Sequence, residues 1–201
     1  VFTKVPGSGG QLSLASCKEQ LLYEILDPGA YHQADVIADF RSVRMAELGP
    51  DRIAVTGGTG AARPDTLKVS IGYDDGFIGE GQISYAGPGA VERARLAIEV
   101  VRERLDLIGA AIGELRCDLI GMDAIDRTGT GATPREVRVR ICGRTAARED
   151  AARIGAEVEA LYTNGPFGGG GATRSVRPVV AVASTLIPRD TVNPHVVMVE
   201  G

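Results

Sequence analysis

Four side chains near the middle of the chain, Glu80, Gln82, Ser84 and Tyr85, form its densest group able to move a proton or hold a polar ligand. Glu80, Gln82 and Ser84 are spaced by two, which in a strand sets an acid, an amide and a hydroxyl on one face. Glu80 is the candidate general base, a role that needs burial to lift its carboxyl toward neutrality, with Ser84 or Tyr85 as the hydroxyl sharing in proton transfer. The segment runs into Gly87 and Pro88, and a helix starting there turns unpaired N–H groups toward an arriving ligand. The alternative is a polar, solvent-facing side of an antiparallel strand. Lys68 and Ser70 upstream extend the same strip under either reading.

A second group lies between Tyr162 and Pro188. A helix ending near Asn164 and Gly165 gives way to Pro166, Phe167 and the run Gly168, Gly169, Gly170, Gly171, followed by Arg174 and Arg177. Four glycines together are costly in backbone entropy and contribute no packing, so they call for positive φ or a close backbone approach. Successive free N–H groups make a concavity for anions, and two arginines add bidentate binding of phosphate or carboxylate. The ligand expected there is a small anion bearing a phosphate or a carboxylate. The alternative is a flexible, solvated loop between helix and strand.

Other chemistry is weaker. Cys17, Cys117 and Cys142 are widely separated and odd in number, which argues against a disulfide framework or a structural zinc site and for reduced thiols in the cytoplasm. Neither His32 nor His195 is linked by spacing to a cysteine as the base a nucleophilic thiol needs. Asp118, Asp123 and Asp126 are oxygen donors for a hard cation but lack a recognised loop spacing, so no metal site is assigned. The residues name no cofactor. Lys18, Tyr23 and Glu24 read as an exposed helix face, and His195 as a surface or inter-subunit residue.

These groups need elements to hold them. Ser13 or Ser16 caps a helix of about 14–26 whose stripe is Leu14, Cys17, Leu21 and Ile25, stopped by Pro28 and Gly29. Strands follow over 35–45 and 52–56, joined through Gly49, Pro50 and Asp51. Alternation predicts a hairpin of 66–73 and 77–85 turning at Asp74, Asp75 and Gly76. Val91, Ala94, Ile98, Val101, Leu105 and Ile108 step by three and four, the stripe of a long helix entered at Pro88. Strands over 115–122 and 136–143 follow, the second with Cys142 facing away from Val137, Val139 and Ile141. Thr145 then caps a helix to about Tyr162, with an Arg153–Glu157 ion pair. The apolar run 178–187 closes the chain as a strand buried on both faces.

Strand-strand-helix twice and then a strand predicts an α+β two-layer sandwich, with helices on one face of a mainly antiparallel or mixed sheet. Residues 1–60 read as a helix-plus-hairpin subregion packed on the main domain, and 61–201 as that α+β domain. With 201 residues, 44% hydrophobic, the chain can bury a core without any tryptophan. A net charge of -4 and scattered arginines give no nucleic-acid footprint. No run approaches the roughly 18 apolar residues of a membrane span. The start at Val1, with no signal sequence in view, is read as internal to a longer or processed product.

Several blocks resemble the acyclic terpene utilisation AtuA-like family: Cys17 to Ile25, Asp35 to Arg44, the Gly-Pro-Asp-Arg turn at 49–52, Thr66 to Tyr73, Gly79 to Pro88 and Ser175 to Ser184. They span nearly the whole chain. The resemblance implies a place in bacterial breakdown of acyclic terpenes as acyl-CoA thioesters, and a further half of comparable size ahead of this region. Two functions are therefore expected as alternatives. One is an enzyme, or the C-terminal part of one, acting on an acyl-CoA thioester or related carboxylate. The other is a non-catalytic assembly or ligand-binding module, a homo-oligomer or a dock for a partner through the strand at 178–187.

Overall fold

The computed structural model describes residues 1–128 and 131–199. The chain divides into two compact units, one built from Val1–Ile71 with the chain from Ala183 onward, the other from Gly72–Val182. The first unit begins with β1 (Phe2–Thr3) and α1 (Leu14–Leu22). Ser13 and Ser16 form a reciprocal capping box at the start of that helix. The helix ends at Leu22, short of the proline that was expected to stop it, because Tyr23 turns extended and Glu24 takes a left-handed φ of 56°.

β2 (Tyr31–His32), β3 (Ile37–Asp39), β4 (Arg44–Gly49), β5 (Arg52–Thr56) and β6 (Thr59–Ala61) complete two small antiparallel sheets, ordered β1-β5-β4 and β2-β3-β6. The strand expected over 35–45 is therefore two strands in different sheets. Asp39 breaks it, its carboxylate accepting from the Arg41 backbone N–H at 2.9 Å and from the Arg41 guanidinium, which holds that carboxyl down to about 2. The turn at Gly49, Pro50 and Asp51 joins β4 to β5, with Asp51 at φ 54°.

β7 (Thr66–Ala86), α2 (Ala90–Leu107), β8 (Glu114–Ile120), β9 (Glu136–Thr145), α3 (Arg148–Asn164) and β10 (Gly169–Pro188) follow, with a short 3-10 turn at Arg189–Thr191. The four long strands are ordered β10-β7-β9-β8, and β9 pairs antiparallel with both β7 and β8. The predicted hairpin does not form. β7 runs straight through Asp74, Asp75 and Gly76, because each of its edges finds a partner distant in sequence; turn-forming residues permit a reversal without compelling one. Gly76 stays in the strand at φ 77°, with the Thr145 carbonyl lying where a Cβ would go.

Helices α2 and α3 cover one face of this sheet in an α+β sandwich. Val91, Ala94, Val101 and Leu105 of α2 and Ile154, Val158 and Leu161 of α3 meet Ile83, Tyr85, Val137, Val139 and Ile141 in one buried cluster. Burying each large side chain contributes roughly 1.5–3 kcal/mol. α3 lies unusually close to β7, since a Cβ on Gly81 would sit 2.5 Å from the Val158 Cβ and one on Gly79 would fall on the Ala151 carbonyl.

Three further expectations are corrected. Ala147, not Thr145, is the N-cap of α3, and the Thr145 hydroxyl donates to the Ala147 carbonyl at 2.7 Å. Arg153 pairs with Asp150 at 2.9 Å, while Glu157 pairs across helices with Arg104 at 3.1 Å. The closing strand is not buried on both faces: β10 is a sheet edge, and Val180 and Val182 are 66% and 68% exposed.

Candidate functional site

Strand alternation splits β9 into two faces. Val137, Val139 and Ile141 enter the core, and Arg138, Arg140, Cys142 and Arg144 stand on the face that the helices leave open. Register then sets their neighbours: Ser84, Gln82, Glu80 and Ile78 of β7 lie opposite Arg138, Arg140, Cys142 and Arg144, and Asp118 of β8 lies opposite Arg140.

The polar side chains join in one hydrogen-bonded chain. Arg138 donates from Nε to Gln82 at 2.5 Å, from one terminal nitrogen to the Ser84 hydroxyl at 2.9 Å and the Gly171 carbonyl at 3.1 Å, and from the other to the Thr173 hydroxyl at 3.1 Å. Gln82 in turn donates to Glu80 at 2.6 Å. Arg140 bridges Glu80 at 2.8 Å and Asp118 at 3.2 Å. Asp118, with only 3% of its side chain exposed, also receives Arg116 at 2.9 Å and Arg127 at 3.7 Å. Within this network four guanidiniums meet two carboxylates, and beyond it on the same face Arg144 pairs with Asp75 and lies opposite Glu114.

The charge is unevenly met. Arg140 has two carboxylate partners, and although its burial pulls its pKa down, the neighbouring Cys142, Glu80 and Asp118 outweigh that and hold it above the usual value. Arg138 rests only on neutral acceptors among the described residues, with one of its five N–H donors unused. Its guanidinium is oriented without an ion-pair partner among the described residues, and Gln82 links it to Glu80. Farther along the same face a cavity of about 330 Å³ has both charges in its lining, Arg116 and Arg144 with Asp75 and Glu114, beside Ile78, Cys142 and Val179. Burial pushes the Cys142 thiol up in pKa against the pull of Arg140.

The family described as "Acyclic terpene utilisation family protein AtuA" matches residues 1–198. The chain belongs to that family. No curated protein and no solved structure matches it. Membership links this AtuA-family chain to acyclic terpene utilisation, and among the described residues no helix is long and apolar enough to cross a membrane.

Against this geometry the residues singled out by sequence fall into separate places. Glu80 and Ser84 share the open face, but four residues of strand put them about 13 Å apart, linked through Gln82 and Arg138 rather than directly. Tyr85 lies on the other face, fully buried under the helices, its hydroxyl without a hydrogen-bond partner among the described residues and the Arg93 guanidinium 5.8 Å from its ring centroid. Burial raises its pKa, opposed by Arg93.

The glycine run is not a loop. Gly168 ends the connection at φ 77°, and Gly169, Gly170 and Gly171 already belong to β10, where the Gly171 carbonyl accepts from Arg138. Arg174 turns to the helix side, pairing with Glu159 at 3.1 Å and packing where a Cβ on Gly155 would go. Arg177 is exposed and shares the face of Thr173 by the strand period. The two arginines therefore do not close over one anion. The three aspartates do not converge on a cation either: Asp118 is taken by arginines, Asp123 accepts from the Leu119 N–H at 2.9 Å and Asp126 from the Thr128 N–H at 2.9 Å.

Sequence reading missed Arg138, Arg140 and Arg116. A signal was present, since Arg138 and Arg140 alternate with Val137, Val139 and Ile141, and a long cation at every second position of a core strand needs acceptors on the adjoining strands.

Proposed function

We propose that this AtuA-family chain supplies the anion-binding surface of an enzyme acting on an acyl-CoA thioester or a related carboxylate in acyclic terpene or branched-chain catabolism. The observation that carries this is Arg138, a guanidinium held in place by four neutral acceptors and lacking a carboxylate partner among the described residues. A phosphate or carboxylate arriving there replaces neutral acceptors with an oppositely charged one, which the planar guanidinium fork can meet with two parallel N–H bonds. Ser84 and Thr173 offer hydroxyls beside it, and Glu80, held by Gln82 and Arg140, is the carboxylate placed to take a proton on the same face.

Isothermal titration of the full-length protein with branched acyl-CoA thioesters, free CoA and the matching free acids tests this. Saturable binding is expected, weakened about tenfold or more in Arg138→Gln, the loss of a charged hydrogen bond, and unchanged in Arg174→Ala. Glu80→Gln then keeps binding but loses turnover. Absence of binding by every compound, or equal binding by Arg138→Gln, removes the reading.

A second reading is supported by β10, an edge strand with Val180 and Val182 exposed. Such an edge is a template for pairing with another chain, and an assembly module would use it. Light scattering decides: a mass that rises with concentration and falls back in Val182→Lys favours assembly, whereas a constant mass opposes it.

A further inference from the structure

The first unit contains a cavity of about 540 Å³, lined among others by Glu24, Leu26, Tyr31, His32, Lys68 and Leu186. That volume is in the range that holds a small metabolite, roughly 300–1,000 Å³. Its walls are mixed in a particular way. Leu26, Tyr31 and Leu186 supply hydrocarbon, Asp27 is a carboxylate that accepts from the Gly29 N–H at 2.7 Å, and Lys68 and Glu24 bring opposite charges whose side chains make no hydrogen bond or ion pair with each other or with any other described residue. Two unpaired charges of opposite sign in one cavity are complementary to a ligand that presents an anion and a hydrogen-bond donor at separate points.

Two independent features mark the same place. The Nδ1 atom of His32 is buried without a hydrogen-bond partner among the described residues, and the residue lines the cavity. An orphaned buried polar atom is uncommon in native folds and asks for a reason. Glu24 holds a left-handed φ of 56°, a conformation that glycine adopts freely and glutamate does not. A carboxylate is thus kept at a backbone position where a glycine would relieve the strain.

We infer that this cavity binds a small carboxylate with a hydrocarbon tail and a hydroxyl or amino group near the carboxyl. Lys68 takes the carboxylate, Glu24 accepts from the hydroxyl or ammonium, His32 offers a ring nitrogen beside them, and Leu26, Tyr31 and Leu186 receive the tail. The site is separate from Arg138 and does not depend on the thioester reading.

The chain has two histidines, so proton NMR of the intact protein shows two imidazole Hε1 signals, and His195→Gln identifies which belongs to His32. The probes are leucic acid and leucine, which carry both groups, isocaproate, which lacks the donor, and isoamylamine, which lacks the carboxylate. Saturable movement of the His32 signal is expected with leucic acid or leucine, whichever donor is preferred, with His195 still. Isocaproate and isoamylamine bind at least about tenfold more weakly, as do Lys68→Met and Glu24→Gln with the preferred probe, the cost of one charged hydrogen bond. Glu24→Gly folds without the backbone strain and also fails to bind, which separates loss of the carboxylate from loss of the fold. Equal affinity for isocaproate, unchanged affinity in the Lys68 and Glu24 variants, or no movement of the His32 signal with any probe overturns the inference, and Arg138→Gln leaves this titration unaltered.

Discussion

Arg138 and Asp118 occupy the same open sheet face with opposite accounts of charge. Arg138 is a cation with only neutral acceptors among the described residues, whereas Asp118 is one buried carboxylate shared by Arg116, Arg127 and Arg140. Removing the carboxylate leaves three guanidiniums facing one another. Asp118→Ala is expected to lower unfolding stability by about 2 kcal/mol, below the 3–5 kcal/mol of a fully buried pair because Arg116 and Arg127 remain half-exposed to solvent, and urea denaturation measures it. Cys142 gives a pH prediction. Burial raises its thiol pKa, so the folded state holds this proton more tightly than the unfolded chain. The associated stability is full below the ordinary thiol pKa and is lost as pH rises through the higher folded value. Alkylation by iodoacetamide, followed at the Cys142 peptide by mass spectrometry, should therefore be slow at pH 8 and speed up only above the ordinary thiol range. Labelling at pH 8 as fast as a free thiol contradicts the shift.

The interleaving of Gly79, Gly81, Ile83 and Tyr85 with Glu80, Gln82 and Ser84 makes β7 the element on which core and polar face depend together. Its two glycines let α3 approach so closely that a methyl group has no room, since the obstacles are the Ala151 carbonyl and the Val158 side chain. Gly81→Ala is expected to cost about 1–3 kcal/mol by overpacking, and Gly79→Ala more, because backbone cannot rotate away as a side chain can. Thermal unfolding of the two variants tests that order, and equal stability to the parent chain would show that α3 moves off the sheet freely. These glycines serve packing. In the later run Gly169 to Gly171 open β10, where a Cβ on Gly169 would lie 2.8 Å from Ile83 and the Gly171 carbonyl accepts from Arg138.

The two units differ in how much they bury. The large cluster of Ile83, Val101, Val139, Ile154 and Val158 belongs to Gly72–Val182, whereas Cys17 and Ile53 are the buried apolar residues of the other unit among those described. Local opening free energy follows buried apolar contact. Hydrogen exchange should therefore find the slowest amides in β9 and α3 and faster exchange throughout β4 and β5, even though those two strands pair with each other along most of their length. Uniform protection across both units would contradict this.

Helices α2 and α3 were legible because their stripes repeat every three to four residues over more than four turns, and the β9 faces because apolar and charged residues alternate there. The family was legible from blocks spread along the chain. Local chemistry carries those signals, and they survive in any tertiary setting. Pairing does not work that way. Whether 66–86 turns back at Asp74 or runs on as one strand depends on edges supplied by β9 and β10, far along the chain, and whether Arg174 and Arg177 meet depends on which side of β10 each one faces. Arg138 stood in plain view in the sequence, but its acceptors come from β7 and β10, so only the folded sheet decided that they are neutral ones.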